Sequence, residues 1–259
     1  MLLTMDVGNE NIVVCCVEEG QRAARFLLSA ERERTLDEYT ALMELLARRQ
    51  GIELSKIEGA IMASVVPRLT PVLSLAVTEC TGRKPLVLGP GVKSGLNIRM
   101  DDPTELGGDL VAAAVGAIAR YPLPCIIVDM GQATAVGVID GKGSYVGGLI
   151  CPGVRLSRDS LAKGASQLSE VNLEKPRQVV GKNTREGIRS GILYGAAAML
   201  EGIFARIGEE LGTVPCVAVT GDFAVAVIPY CRYQGSITVD EDLIMRGLWH
   251  IYQKNQGRQ

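Results

Sequence analysis

The sequence predicts a layered α/β protein in which one architecture is used twice. Three observations carry this. Apolar residues make up 47% of the chain but aromatics only 4%, with a single Trp, so the core is built from Leu, Val, Ile and Ala. Strand-like and helix-like patterns alternate along all 259 residues. The opening element, strand then Asp, x, Gly, polar turn and strand, returns in the middle of the chain. "LLTMDVGNENIVVCCVEEG" is answered by "CIIVDMGQATAVGVIDGKG", with Asp6 matching Asp129 and Gly8 matching Gly131. A repeat this long marks a duplicated domain rather than a solenoid unit. The boundary falls near residues 118 to 123, which divides the chain into an N-terminal domain over 1–118 and a C-terminal domain over 119–259.

The elements follow in order. "LLTMDVG" and "NIVVCCVEEG" are hairpin strands and "RAARFLLSA" a third. "TLDEYTALMELLARRQG" is a helix: Thr35 and Glu38 have capping-box spacing, Leu36, Tyr39, Leu42 and Leu46 share one face, and Gly51 ends it. "GAIMASVVP" is a buried strand closed by Pro67, "LTPVLSLAVTECTG" a short helix and "KPLVLG" another strand. A glycine-rich loop leads to the Ala-rich helix "LVAAAVGAIARY". After the second hairpin come helical stretches over "VRLSRDSLAKGA" and "TREGIRSGILYGAAAMLEGIFARIGEELG", a strand "CVAVTGD", the apolar segment "FAVAVIPYC" and a last helix "DEDLIMRGLWHIYQ".

Charge and cysteine usage exclude several classes. The formal net charge is −2 and no Lys/Arg block is present, so nucleic-acid binding has little electrostatic support. The seven Cys are scattered with no C-x-x-C spacing, which reads as reduced thiols of a cytoplasmic protein rather than a disulfide framework or zinc site. The first apolar stretch is too short for a signal peptide and runs into Asp6. The run near "VAAAVGAIA" is too short to span a membrane, so no membrane partner is expected.

The repeated hairpin carries the chemistry. Gly8 and Gly131 let the backbone turn tightly and approach a ligand, and the amides of such a turn form a concavity for anions. A carboxylate beside phosphate is repelled unless a cation intervenes, which makes Asp6 and Asp129 candidate magnesium-side groups, direct or through water. One copy would read as turn chemistry alone; two copies at equivalent places favour phosphate. Asp109 follows "ELGG" and precedes the Ala-rich helix. It is either an N-cap or a base for a substrate hydroxyl, and spacing does not separate the two. "GPGVKSG", with Lys93, is either an anion cradle or a connector, and it lacks Walker A spacing. His250, the only His, reads as a packing or surface residue.

Eight motifs in order give the chain a resemblance to the type III pantothenate kinases over nearly its whole length: "DVGNEN" for Asp-x-Gly-Asn-Thr, "ASVVPRLTP", "GPGVKSGL", "ELGGD" for Gly-Ala-Asp-Arg, "VDMGQAT" for Asp-x-Gly-Thr-Ala, "GGLICPG", "GKNT", and "TGD" for Thr-Gly-Gly. The resemblance implies two ribonuclease-H-like domains of the sugar kinase, Hsp70 and actin superfamily (an actin-like ATPase fold), with ATP between them. It implies ATP-dependent phosphorylation of pantothenate to 4'-phosphopantothenate, the first step toward coenzyme A. Asp6, Gly8 and Asn9 would face the phosphates with Asp129, Gly131, Gln132 and Thr134 opposite. Thr220 and Gly221 would lie on the adenosine side, and Asp109 matches the family's base. Met100, Gly107, Gly108 and Thr184 would line the pantothenate side. Magnesium at Asp6 and Asp129, a monovalent cation (potassium or ammonium) and a homodimer with pantothenate at the subunit contact are further implications.

Against the family pattern, Glu10 and Gln132 stand for Thr, Leu110 for the Arg that pairs with the pantothenate carboxylate, Met100 for an aromatic, Ala113 for Asn and Asp222 for Gly. These departures keep two alternatives beside the active pantothenate kinase. One is a kinase for another small alcohol. The other is a catalytically impaired paralogue that binds, regulates or partners a second copy in a heterodimer.

Overall fold

Asp6 and Asp109 owe their common position to the way the first sheet is wound. In the computed structural model, residues 1–164 and 171–256 are described. Contacts divide the chain into a first unit of Met1–Arg120 with Asp242–Gln259 and a second unit of Tyr121–Glu241. The sequence places the closing helix with the second half; its contacts place it with the first.

The first unit holds β1 (Leu2–Val7), β2 (Asn11–Glu18), β3 (Gln21–Ser29), β4 (Gly59–Ser64) and β5 (Leu86–Val87) in the order β3-β2-β1-β4-β5. β1, β2 and β3 form an antiparallel meander, and β4 and β5 continue the sheet parallel to β1. Successive side chains point to opposite faces. Leu3, Met5 and Val7 join the core beneath α1 (Leu36–Arg49) and α2 (Thr70–Thr81), with Tyr39, Met43 and Leu73 fully buried. The expected capping box of α1 is present: Glu38 N–H donates to Thr35 Oγ1 at 3.3 Å and Thr35 N–H to Glu38 Oε2 at 2.6 Å. α2 carries Pro71 in its first turn and ends on Gly82 at φ 67°. A further short strand, β6 (Asn97–Ile98), precedes α3 (Gly108–Arg120).

α3 packs on α7 (Leu243–Asn255), and α7 also lies against β1 and β4. The two helices meet backbone to backbone. A Cβ on Gly247 would land on the carbonyl of Ala112, and one on Gly116 would land on the carbonyl of Leu243. Val111–Ala117 are all buried, which explains why that stretch is small residues rather than Leu. α7 also holds the glycine-rich loop: Lys93 N–H donates to Asn255 Oδ1 at 3.2 Å and Asn255 Nδ2 donates to Lys93 O at 3.0 Å. The Lys93 amide is thereby used as a structural tether. His250, half-buried, meets the edge of the Trp249 ring.

The second unit repeats the winding. β7 (Cys125–Met130), β8 (Ala133–Ile139) and β9 (Ser144–Pro152) form the meander, and β10 (Cys216–Thr220) and β11 (Ile237–Val239) continue it parallel to β7. α4 (Val154–Gly164) follows the meander; Ala165, the last residue of the stretch read as this helix, lies outside the described residues. α5 (Thr184–Leu211) is capped by Asn183, whose Oδ1 accepts from Glu186 N–H at 2.9 Å, and ends on Gly212 at φ 67°. By length and hydropathy α5 is apolar enough to cross a membrane. Its Ile192, Leu193, Ala197, Leu200 and Phe204 are nonetheless buried with Ile126, Val128 and Met130 of β7, as a core helix packs on a sheet. The short α6 (Ala224–Val227) completes the unit.

Gly247→Ala and Gly116→Ala should each lower the unfolding free energy by about 1–3 kcal/mol, because overpacking at a backbone contact outweighs the ~1 kcal/mol that Ala gains over Gly in a helix. Chemical denaturation of the two variants beside the parent chain reads this directly. An unchanged or raised midpoint would mean that the two helices part without loss.

Candidate active site

Each unit gathers its share of the expected residues at the carboxyl ends of its central strands, where open α/β sheets bind ligands. In the first unit Asp6 stands near the end of β1, in register with Ala63 of the parallel strand β4. Its Oδ1 is shielded from solvent. The chain then turns through Gly8, Asn9 and Glu10. Gly8 N–H donates to Asn11 O at 3.0 Å, and a Cβ on Gly8 would sit only 3.1 Å from that carbonyl. The turn is steadied by Ala30 N–H donating to Glu10 O at 2.9 Å. Asn9 is exposed and Glu10 half-buried.

Asp109 reaches the same sheet face. Gly108 opens α3 against Ala63 and Leu88, at 3.7 and 3.6 Å from where its Cβ would be. Ala63 is the register partner of Asp6, so one β-strand residue lies between the β1 carboxylate and the start of the helix that carries Asp109. The Asp109 carboxylate folds back over Gly107, where any Cβ would strike Oδ1. Asp109 is inside the first turn of α3 rather than at its N-cap. Its Oδ1 accepts from Leu110 N–H at 2.8 Å. Burial raises the carboxyl above its usual range, against the lowering effect of that amide. Leu110, beside it, is half-buried.

In the second unit Asp129 stands on β7, in register with Thr220 of β10. Gly221 follows at φ 94°, a conformation that favours glycine, and a Cβ there would lie 2.6 Å from Asp129 Oδ1 and 2.7 Å from the Met130 carbonyl carbon. Phe223 N–H then donates to Met130 O at 3.2 Å. The Gly131–Gln132 turn is closed from another side by Gly153, whose Cβ would meet the carbonyls of both residues. Thr134 is buried and Gln132 exposed. Asp222 is exposed, and the Arg155 guanidinium stacks 5.7 Å above the neighbouring Phe223 ring.

Asp6, Gly8, Asn9, Gly107, Gly108 and Asp109 thus share one end of one sheet, and Asp129, Gly131, Gln132, Thr134, Thr220 and Gly221 one end of the other. Met100 and Thr184 are placed by separate elements: Met100 half-buried after β6, and Thr184 exposed at the first turn of α5. Gly153 and Phe223 were not singled out from sequence. A glycine after Pro and before a helix was the available signal for Gly153, whereas nothing in the sequence marks Phe223 as a shelf for Arg155.

A family profile described as type III pantothenate kinase matches residues 2–206. The chain belongs to the type III pantothenate kinase family. A type III pantothenate kinase of Moorella thermoacetica is 39% identical over 98% of this chain and 100% of its own length. One from Brevibacillus brevis is 38% identical over 99% and 100%. Among solved structures, a ROK hexokinase from Thermus thermophilus superposes with a TM-score of 0.54 at 13% identity, over 98% of both chains. The component A of (R)-2-hydroxyglutaryl-CoA dehydratase from Acidaminococcus fermentans gives 0.56 at 14%, over 97% of this chain and 96% of that one. These two likenesses support the actin and sugar-kinase fold expected for the family.

Gly221→Ala should disturb the Asp129 turn, since it adds both backbone strain and a clash with the carboxylate. The expected result is at least a tenfold loss of turnover with the far-ultraviolet circular dichroism of the parent. Parental turnover would show that the turn yields without moving Asp129.

Proposed function

We propose that this chain transfers the γ-phosphoryl group of ATP to the primary hydroxyl of pantothenate, giving ADP and 4'-phosphopantothenate, as a cytoplasmic enzyme of coenzyme A synthesis. Full-length identity of 38–40% to type III pantothenate kinases carries the reading. The Gly8 turn, whose own amide is spent on Asn11 O, presents the amides of Asn9 and Glu10 to phosphate oxygens, the Gly131–Gln132 turn offers its own, and Thr220 and Gly221 serve the adenosine side. Asp109 accepts the hydroxyl proton as the phosphoryl group is transferred. A raised pKa makes it a better acceptor than an ordinary aspartate.

The donor set fits magnesium in one particular way. Among the described residues no cluster of three or more His, Cys, Asp or Glu side chains could hold a metal ion. Magnesium often keeps its waters and takes one or two carboxylates with substrate phosphates, and Asp6 and Asp129 are the carboxylates for that role. When bound it neutralises charge on the phosphates. Potassium or ammonium, and a homodimer that completes the pantothenate pocket, belong to the same proposal.

A second reading rests on Leu110. With an Arg at that position the pantothenate carboxylate gains a charge-assisted hydrogen bond worth about 1.5–3 kcal/mol, or roughly ten- to a hundredfold in affinity. Leu110 supplies none. A chain relying on no other cation for this carboxylate is a weak pantothenate kinase, a kinase for a different alcohol, or the partner of a second copy.

Coupled ATP turnover with purified protein, magnesium and potassium tests both readings. Leu110→Arg should lower the KM for pantothenate by roughly ten- to a hundredfold with little change in kcat. A low KM already in the parent chain would overturn the Leu110 argument, and no turnover with pantothenate in either form would overturn the kinase reading.

Asp109→Asn should cut kcat by roughly 10²–10⁴-fold while leaving ATP affinity nearly unchanged. The same variant should melt at a higher temperature at neutral pH. A carboxyl raised in the folded state destabilises the fold once ionised, fully so above its folded pKa, and costs nothing below the unfolded value. The stabilising effect of Asn should therefore vanish in acid. A variant no more stable at pH 7 than at pH 3, relative to the parent, would show that burial of this charge is not costly.

A further inference from the structure

Cys125 and Cys216 open the neighbouring parallel strands β7 and β10 as a register pair. Strands in a sheet lie about 4.7–4.9 Å apart, inside the roughly 4.4–6.8 Å between Cα atoms that a disulfide spans. Residues in register on parallel strands project to the same face, and the two thiols are close enough to shift each other's ionisation. Cys125 is fully buried, whereas Cys216 is half-exposed. We propose that Cys125 and Cys216 form a peroxide-sensitive dithiol, with Cys216 the reacting thiol and Cys125 the resolving one.

Burial sets four of the other five cysteines apart from this pair, and the half-buried Cys151 lies on β9, away from both strand starts. Burial pushes Cys15 and Cys80 up to about 12 and Cys16 and Cys231 to about 11, which leaves almost no thiolate at neutral pH. Cys216 moves the other way, lowered by its interaction with the Cys125 thiol; Cys125 is raised in return. A second contact opposes ionisation, since Cys216 Sγ donates to Pro122 O at 3.0 Å and must give up that bond as a thiolate. An accessible thiol beside a resolving partner is the arrangement that oxidant-sensing cysteines use.

The chemistry balances with hydrogen peroxide as the named oxidant. The Cys216 thiolate attacks one peroxide oxygen and the O–O bond breaks, giving a sulfenic acid on Cys216 and hydroxide. The Cys125 sulfur then attacks the Cys216 sulfur, the S–O bond breaks, and water leaves with the Cys125 proton. Two thiols are oxidised and one peroxide is reduced. The resulting bridge would staple β7 to β10, the same two strands whose far ends carry Asp129 and Thr220 on the same sheet face.

Exposure of the intact protein to stoichiometric hydrogen peroxide, followed by alkylation and peptide mass mapping, tests this. The parent should lose two alkylatable thiols and about 2 Da of mass, yield one cross-linked peptide pair containing Cys125 and Cys216, and recover both thiols with dithiothreitol. Cys125→Ser should stop at a sulfenic acid on Cys216 that dimedone traps, and Cys216→Ser should retain its thiols at the same dose. Should either variant fail to fold, the peptide map of the parent decides alone. Retention of all thiols by the parent, a bridge elsewhere, or sulfinic acid on Cys216 without a bridge would each overturn the proposal.

Discussion

The first unit depends on the contact between the backbones of α3 and α7. Two helices approach this closely only where neither presents a side chain, and Gly116 and Gly247 provide the two gaps. The consequence runs outward from that crossing. α7 is held against α3, and its other residues then meet the sheet: Tyr252 occupies the space a Cβ on Gly59 would need, and Lys254 that of a Cβ on Gly95. The glycine-rich loop is fastened by Asn255, and Arg22 of β3 pairs with Asp242 at 2.7 Å. The last helix therefore fixes the edge of β4, the loop and the axis of α3 together. α3 in turn fixes Asp109 over Ala63. These contacts join residues far apart in sequence, so the first unit is completed only with its second segment, Asp242–Gln259.

The two turns solve one problem with different partners. Both place an aspartate on the first strand of a meander and follow it with a glycine turn. Asp129 is then enclosed by backbone, with Gly221 beside its carboxylate and Gly153 behind its turn. Asp6 instead shares its sheet face with a second carboxylate, Asp109, delivered by a helix. The duplication thus preserved the strand geometry and let the surroundings diverge. One half holds a single acid in a glycine cradle, and the other brings together two half-buried acids of which Asp109 has a raised carboxyl.

Much of this was legible in the sequence because it is local or repeated. The capping box at Thr35 and Glu38 is a matter of spacing, the strands show their alternation, and the duplicated Asp-x-Gly hairpin announces two units. The destination of the last helix was not legible. An amphipathic pattern names an apolar face but not the surface that covers it, and Gly116 and Gly247 read as weak helix positions until the partner backbone is present. The role of Lys93 was likewise ambiguous, since a glycine-rich loop can spend its amides on an anion or on the protein, and only the Asn255 contacts decide for that residue. Asp109 shows the same limit. Its position at a helix start follows from "ELGGD", but its raised pKa comes from desolvation that only the folded chain supplies.

Asp109 also shows why the packing around it must be tight. An aspartate whose carboxyl is raised by burial costs stability whenever it is ionised, and here the backbone amides of Leu110 and Asp109 itself offset only part of that cost. A looser helix start would let water reach the carboxylate, relieve that cost and return the group to its ordinary basicity. The crossing of α3 on α7 opposes this, because Gly116 and Ala112 already meet the facing helix backbone to backbone. Gly116, which weakens α3 by intrinsic propensity, is therefore part of what lets α3 be held against α7. The raised carboxyl of Asp109 is thus carried by a helix that is held from the opposite end of the chain.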